Sequence, residues 1–488
     1  MSERETMSTQ SINPRTGQAF GPIFAETNAA EIASLIEKAQ VGFELWSTAT
    51  VAQRVEALQG IADALDANIA DLVEIADLET GLGVPRLTGE VGRTTFQIRE
   101  FARAISEGRF ISPEVDPFVD APLPVGHPEF IRTLAPLGVV VVFGANNFPF
   151  AFSVLGGDTA SALAAGCAVI AKAHPSHPQT STKVFSLAKS VLETLGFPGV
   201  LSLIHGVDAG VTVLQSPVVS AGAFTGSKKG GRALFDIAQS RPTPIPFYGE
   251  LGSVNPVVAL SSGISDPKAF ATAYLDSLLL GNGQFCTNPS ILFVPENSPV
   301  LNEIESQISE RKPSPFLSLA TKTLHDENRA RLSHLLSSPV IAGQELSDGG
   351  FYSSPAVLVT DLAKVTAKPE TLEVECFGPT GLVVTYSNIA QLILAIANLE
   401  GALSASIFAA ASDGDVVTVC SALSRKVGRL SWNAWPTGVA VTIGQQHGGP
   451  YPASTSLLHT SVGLHAITRF LRPVALQNFP AEVASKLI

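Results

Sequence analysis

The sequence predicts an α/β fold built on a doubly wound parallel sheet, and three observations carry that prediction. β-Branched runs such as "LGVVVVF" (residues 137–143) recur between helical stretches. The 488 residues are 45% hydrophobic and only 15% charged, which suits large buried interiors. The 41 glycines and 33 prolines supply many turns. Continuous apolar strands belong to sheets covered on both faces, and strand–turn–helix alternation implies right-handed crossovers. At roughly 150 residues per domain the length predicts two or three domains.

In chain order, residues 29–47 place Ile32, Leu35, Ile36, Ala39 and Phe43 at helical spacing, and residues 52–78 and 88–106 repeat the pattern, so the first hundred residues read as mostly helical. A loop rich in proline and acids (Ser112–Pro128) precedes "LGVVVVFGANNFPF", a buried strand. Then come "AFSVLGGDTASALAAG" as a helix, "CAVIAKAHP" as a strand, residues 179–195 as a helix, "VLSLIHG" and "VVSAGAFTGS" as strands, and "KKGGRALFDIAQ" as a helix. Ligands of such sheets bind beyond the carboxyl ends of the strands, so Asn147, Lys172 to His177 and Gly226 to Gly231 should converge. A second α/β stretch from about Ser253 to Gly444 holds "GNGQFCTNP", "EVECFGP" and the strand "GRLSWNAWPTG". The tail "AITRFLRPVALQNFP" is apolar and β-like, suited to pairing with another subunit's sheet edge.

The balance of 31 basic and 43 acidic residues, net −12, favours neither nucleic acid nor an anionic membrane surface as partner. Four cysteines without paired spacing (Cys167, Cys286, Cys376, Cys420) argue against a disulfide framework and suit a reducing compartment. A polar N-terminus and the lack of any apolar run near about 18 residues lead to the expectation of a soluble cytoplasmic protein.

Cys286 stands apart from the other cysteines in a loop rich in glycines and amides. A free cysteine is ordinarily a small buried hydrophobe. Here Gly281 and Gly283 let the backbone approach a ligand closely, and an N–H at such a turn can serve an oxyanion. Glu250, in "FYGELGSVNP", reads as a carboxylate in a Gly-flanked turn beside Phe247 and Leu251. Such a setting raises a carboxyl pKa and suits a general base, although a carboxylate capping a backbone N–H fits equally well. "FTGSKKGGR" offers small residues between strand and helix, where a pyrophosphate can sit on free N–H groups; an ordinary tight turn explains it as well. The nine histidines show no metal-ligand spacing, so no metal site is expected.

Together, "INPRTG", "GANNFPF", "AAGCAVIAK", "FTGSKKGGR", "GELGSVNP", "GQFCTNP" and "ECFGP", in order and near the expected spacings, resemble the aldehyde dehydrogenase superfamily over nearly the whole chain. "PIPFYGELG", "HGGPYPAST" and "TSVG…RFLRPVA" look most like its branch of 2-oxoglutarate semialdehyde (2,5-dioxopentanoate) and NADP-linked fatty aldehyde dehydrogenases. The resemblance implies a Rossmann-like cofactor domain (residues 1–115 and 137–251), an α/β catalytic domain (252–450) and a small β oligomerisation arm (116–136 and 460–488) in a homodimer or homotetramer. It also implies a small aldehyde substrate. Cys286 matches the nucleophile, Asn147 the oxyanion amide, with the Cys286 N–H, and Glu250 the general base. Lys172 matches the cofactor-ribose contact, Gly226, Ser227 and Gly231 the pyrophosphate turn, and Glu375 with Phe377 the nicotinamide-ribose clamp.

Two departures from the family pattern bear on specificity. Pro175 stands where NAD-preferring members carry a glutamate, which favours NADP over NAD, with Lys172, Ser176 and His177 as candidate partners of a 2′-phosphate. Leu155 stands where succinate semialdehyde dehydrogenases carry a carboxylate-binding arginine. An acidic semialdehyde then needs another cation, and Arg99 and Arg103, with His447 and Gln97, are the candidates; both arginines also fit an ordinary helix surface. Phe148, Leu155 and Trp435 would suit a long-chain aldehyde instead. A cysteine hydrolase pairing Cys286 with a histidine is the alternative from another reaction class, and a non-catalytic binding protein on the same fold is a third reading.

Overall fold

A computed structural model of the protein describes residues 8–484 apart from Ser253 and Ser347. Residues 1–7, the last four residues of the expected arm, and Ser253 of "GELGSVNP" lie outside the described residues.

Capping chemistry starts the first two helices. Asn28 accepts from the Ala30 and Glu31 N–H groups while Glu31 reaches back to the Asn28 N–H, opening Ala29–Ser47. Thr50 and Gln53 do the same for Val51–Ala67. The periodic stretch 52–78 is two helices, because the backbone leaves helical geometry at Asn68 before Ile69–Thr80 begins. A fourth helix, Val84–Ser106, follows, and the first hundred residues also contain an antiparallel hairpin, Ser8–Asn13 with Gln18–Ala25.

The first large sheet is parallel throughout, in the order Leu201–Ile204, Ala168–Lys172, Val139–Phe143, Val219–Gly226, Phe247–Leu251. Period-2 alternation along Val139–Phe143 sends Val140 and Val142 into a core with the helices Val51–Ala67 and Val84–Ser106. Val139, Val141 and Phe143 enter a second core, with Ala29–Ser47, on the opposite face. The sheet is thus doubly wound. A short helix, Val207–Gln215, separates strands that read as adjacent in the sequence; its nine residues, with a glycine inside, leave little periodic signal. The strand Phe247–Leu251 replaces the turn read around Glu250.

The second sheet runs Val340–Ala342, Ala356–Asp361, Thr380–Tyr386, Ile291–Pro295, Pro256–Ala259, Ala402–Phe408, Val427–Trp432, parallel except for its first, antiparallel edge strand. Val257 and Ala259 enter one core and Val258 another, so this sheet too is covered on both faces. A third, antiparallel sheet joins Leu471–Gln477, Phe130–Pro136 and Glu114–Asp116. The tail is therefore only half strand, since Leu464–Phe470 forms a 3-10 helix before it. Among the described residues no helix is long and apolar enough to cross a membrane.

Glu79 ties these pieces together. Fully buried, its carboxylate accepts from the Gln179 and Thr180 N–H groups at the start of the helix Pro178–Thr194, from the Thr180 hydroxyl, and from Ser11 of the hairpin. That helix follows the strand ending in Lys172, so Glu79 fixes one wall of the sheet's carboxyl edge. Glu79→Gln sets an amide N–H₂ against at least one of these donors and is expected to cost about 1–3 kcal/mol. Urea denaturation of the two proteins measures it, and equal stabilities would show that the carboxylate is dispensable.

Candidate active site

Cys286 sits in a loop that the backbone bends sharply. Gly281, Asn282 and Gly283 all adopt left-handed conformations, with φ of 57°, 59° and 69°. Such a run is tolerable only for glycine and asparagine. A Cβ on Gly283 would collide with the Gly378 carbonyl, so the space it leaves serves packing of chain on chain, not a ligand as read from the sequence. Buried amides lock the rest of the loop. Asn255 Nδ2 donates to the Cys286 and Asn288 carbonyls at 2.8 and 3.0 Å, and Gln284 Oε1 accepts from the Leu317 N–H at 3.0 Å.

Asn147 reaches this loop from beyond the strand Val139–Phe143. Its Nδ2 donates to the Gln284 carbonyl at 2.9 Å, leaving the amide's second N–H. Its own carbonyl accepts from Arg86 Nη2 at 2.7 Å, and that guanidinium lies 5.0 and 4.8 Å from the rings of Phe148 and Phe285. Arg86 is a positioning residue that no motif announced.

Glu250 arrives on the strand Phe247–Leu251, beside Thr225 of the neighbouring strand, and is buried. His447 Nε2 lies 2.8 Å from its Oε1 and 3.5 Å from Cys286 Sγ. Ser461 donates to the other carboxylate oxygen. The ligand-type atoms of Cys286, Glu250 and His447 all lie within 4.8 Å of one another, a cluster that linear spacing could not reveal. His447, expected among substrate contacts, stands at the base.

The electrostatics differ from the sequence reading. Burial pushes the Glu250 carboxyl upward, but His447, Ser461 and Cys286 outweigh it and hold the group below the usual carboxylate range. Burial also pushes the Cys286 thiol well above its ordinary value, and the neighbouring Glu250 charge pushes it further, with Arg429 opposing. At neutral pH this is a thiol beside a carboxylate: a nucleophile at rest and a base ready to receive its proton.

Cys286, Glu250 and Asn147 line a cavity of about 740 Å³, a size typical of cofactor sites. Gly226, Ser227, Glu375 and Phe377 line it as well, so those expected contacts converge. The helix Lys228–Ser240 begins there, with Ser227 as its cap; Lys229 and Arg331 add positive charge, while Lys228 and Arg232 are paired with Glu400 and Asp236. A side chain at Gly252 would collide with the Glu375 carboxylate, and one at Gly231 with Leu251 and Phe224. Positive charge, a helix N-terminus and Cβ-free turns fit a pyrophosphate, and the Glu375 carboxylate fits ribose hydroxyls. Lys172, Pro175 and Ser176 stand outside the lining, at the end of the strand Ala168–Lys172. Burial lowers the Lys172 amine to about 8. His177 is occupied with Ser181 Oγ and the Ala145 carbonyl, each at 3.1 Å, and is removed from the candidate phosphate contacts.

The match to the model of the Aldehyde dehydrogenase family covers residues 1–473. The chain belongs to the aldehyde dehydrogenase family. This dehydrogenase is 39% identical over 484 residues to alpha-ketoglutaric semialdehyde dehydrogenase 2 of Azospirillum brasilense, covering 97% of this chain and 92% of that protein. It is 34% identical over 476 residues to alpha-ketoglutaric semialdehyde dehydrogenase of Acinetobacter baylyi, covering 96% and 90%. Its fold matches a 1-pyrroline-5-carboxylate dehydrogenase from Thermus, solved with bound NAD, at a TM-score of 0.82 and 22% identity over 96% of this chain and 90% of that one. It is an NAD(P)-dependent oxidoreductase that acts on aldehydes.

The structure corrects four of the substrate candidates. Arg99 pairs with Asp63 and Asp66, and Arg103 with Glu100 and Glu107, on the outer face of Val84–Ser106. Leu155 is buried in the helical core, and Trp435 packs against Phe270, Tyr274 and Phe408. Gln97 lies against Gly157. Phe148 does face the Cys286 loop, its ring edge-on to Phe285 at 5.2 Å.

Alkylation of Cys286 by iodoacetamide reports its thiolate fraction and should rise with a midpoint well above that of an ordinary thiol. In Glu250→Gln the neighbouring negative charge is gone, so the midpoint should fall. An unmoved midpoint would mean that burial alone sets it.

Proposed function

We propose that this dehydrogenase oxidises 2-oxoglutarate semialdehyde (2,5-dioxopentanoate) to 2-oxoglutarate through a thioester on Cys286. The observation that carries the chemistry is the buried trio of Cys286, Glu250 and His447 beside the Asn147 amide at the cofactor-sized cavity. The substrate assignment is supported by the two relatives named for that semialdehyde.

Attack of Cys286 Sγ on the aldehyde carbon requires loss of the thiol proton, which the Glu250 carboxylate, linked through His447, receives. Negative charge gathers on the aldehyde oxygen, where the Asn147 amide and the Cys286 N–H stabilise it; one such donor is worth about 3 kcal/mol. Nicotinamide, when bound, supplies the hydride acceptor. Glu250 first gives the thiol proton up to solvent, as its low pKa favours, and then takes a proton from water as the water attacks the thioester. His447 and Ser461 hold the carboxylate in place. The Cys286–His447 contact also meets the geometric need of a cysteine hydrolase, and nicotinamide dependence of turnover separates the two.

NADP is the proposed cofactor in preference to NAD, because Pro175 brings no carboxylate to the adenosine ribose and a buried Lys172 stands beside it. A homodimer or homotetramer built through the third sheet is part of the same proposal, supported by exposed Val115, Phe118, Leu123 and Val125 on or beside its edge strand. A reducing, cytoplasmic setting is supported by four cysteines that form no disulfide among the described residues.

Steady-state kinetics with 2,5-dioxopentanoate, pentanal and decanal, each with NADP and NAD, tests the reading. The semialdehyde with NADP should give the highest kcat/KM, and Cys286→Ala should abolish turnover. A preference for decanal, or activity surviving in Cys286→Ala, would sink it.

A further inference from the structure

The helix Val84–Ser106 turns a second set of charges inward. Arg86, Glu90, Arg93 and Gln97 recur at spacings of four, three and four residues and so share one face. Arg86 is committed to Asn147 and two phenylalanine rings. Glu90 Oε1 accepts from the Phe150 and Ala151 N–H groups at 2.9 and 3.0 Å.

Arg93 is differently placed. Its guanidinium lies 5.0 Å from the Phe152 ring centre, and that ring is 6.3 Å from the imidazole of His447. Nη2 makes a long contact of 3.4 Å to the Val439 carbonyl, while Nη1 is buried with no hydrogen-bond partner among the described residues. A second guanidinium meets the same segment from the strand Val427–Trp432. Arg429 donates to the Gly438 carbonyl at 2.9 Å and to that of Pro436, and its Nε is likewise buried and unpartnered.

Neither arginine makes an ion pair among the described residues, in contrast to Arg99 and Arg103 on the outer face. Neither lines the large cavity that holds Ser227 and Glu375. Glu90 is the acidic group that bears most on Arg93, but its Oε1 is taken by the Phe150 and Ala151 N–H groups; Cys286 and Glu250 follow, and Cys286 also bears on Arg429. Glu250 cannot serve as their partner, being held by His447 and Ser461. Leaving a buried guanidinium N–H unfilled costs free energy that an incoming carboxylate would recover.

We infer that Arg93 and Arg429 together bind the distal carboxylate of the substrate, with Phe148, Phe152 and Phe285 sheltering its methylene stem. This rests on the acidic-semialdehyde reading above. In 2,5-dioxopentanoate the carboxylate carbon is four bonds from the aldehyde carbon, about 5 Å when extended. Arg93 is joined to the thiol through the Phe152 ring and His447, whose Nε2 lies 3.5 Å from Cys286 Sγ, and Arg429 meets the same segment as Arg93.

The test is the ratio of kcat/KM for 2,5-dioxopentanoate to that for pentanal. In Arg93→Gln and in Arg429→Gln the ratio should fall about 10- to 150-fold, mainly through KM, the loss of a charged hydrogen bond. Arg93→Lys should recover part of it. A second readout is independent of turnover: 2-oxopentanoate, the same chain without the aldehyde oxygen, should slow iodoacetamide alkylation of Cys286 in the wild type, where neutral 2-pentanone does not. That protection should disappear in Arg93→Gln; should the glutamine variants fail to fold, the wild-type comparison still decides. A wild-type preference for the semialdehyde with ratios unchanged in both variants, equal losses on both aldehydes, or equal protection by the acid and the ketone would overturn the anchor. Wild-type enzyme with no preference for the semialdehyde would instead overturn the substrate reading.

Discussion

A carboxylate placed beside a thiol in a buried site is the constraint around which this molecule is arranged. The Glu250 charge raises the cost of charging the Cys286 thiol, and burial raises it for both groups. The arrangement is tenable because Glu250 has partners that hold its charge: the His447 imidazole and the Ser461 hydroxyl. Those two residues come from a segment about two hundred positions further along the chain, and that segment is pinned to itself, with the Ser461 N–H on the His447 carbonyl at 2.8 Å and Thr460 Oγ1 accepting from the His447 N–H at 2.8 Å. It is pinned to the sheet as well, since the Leu251 N–H donates to Ala453 at 2.8 Å. The late part of the chain therefore sets the protonation state of the early part.

The same economy governs the nucleophile. Three consecutive left-handed residues lift the loop from the end of the helix Pro267–Leu279, and Asn255 grips the Cys286 carbonyl from the strand start. Since Asn147 bonds the Gln284 carbonyl in that loop, the amide and the thiol are fixed to one frame. The frame joins the two large sheets, Asn147 following a strand of one and Asn255 preceding a strand of the other. A shift between the sheets would move an oxyanion donor relative to its nucleophile, which is where misplacement is most costly to rate.

Local signals in the sequence were read well where the physics is local. β-Branched runs and helical periodicity located the helix Ala29–Ser47 and the strands around Val139–Phe143, and the order of motifs led to the family. What failed is long-range. Glu250 looked like a turn carboxylate with a raised pKa because two glycines flank it nearby, whereas it stands in a strand whose partners lower its pKa. His447 carried no local mark of its contact with Cys286, because nothing in "QQHGGP" encodes a residue far away in the chain. Arg99 and Arg103 lie on the outer face of their helix, in exposed ion pairs. Spacing shows which residues share a face; which face turns inward depends on what the neighbouring elements bury.

That helix shows how differently one charge type can be used within a few turns. On the outer face, Arg99 and Arg103 lie in exposed ion pairs, which contribute little to stability at physiological salt. On the inner face, Arg86 and Arg93 are largely withdrawn from water, and burial lowers the pKa of each. A core chosen for stability alone would place apolar side chains at such positions, because buried polar atoms without partners are a net cost. The cost is tolerable here because Glu90 lies on the same face and aromatic rings cover the guanidinium planes. Proteins retain expense of this kind where binding or chemistry needs it, and around Cys286 it coincides with the one loop whose backbone is bent three times in succession. Charge and strain are thus concentrated in the residues around one sulfur atom.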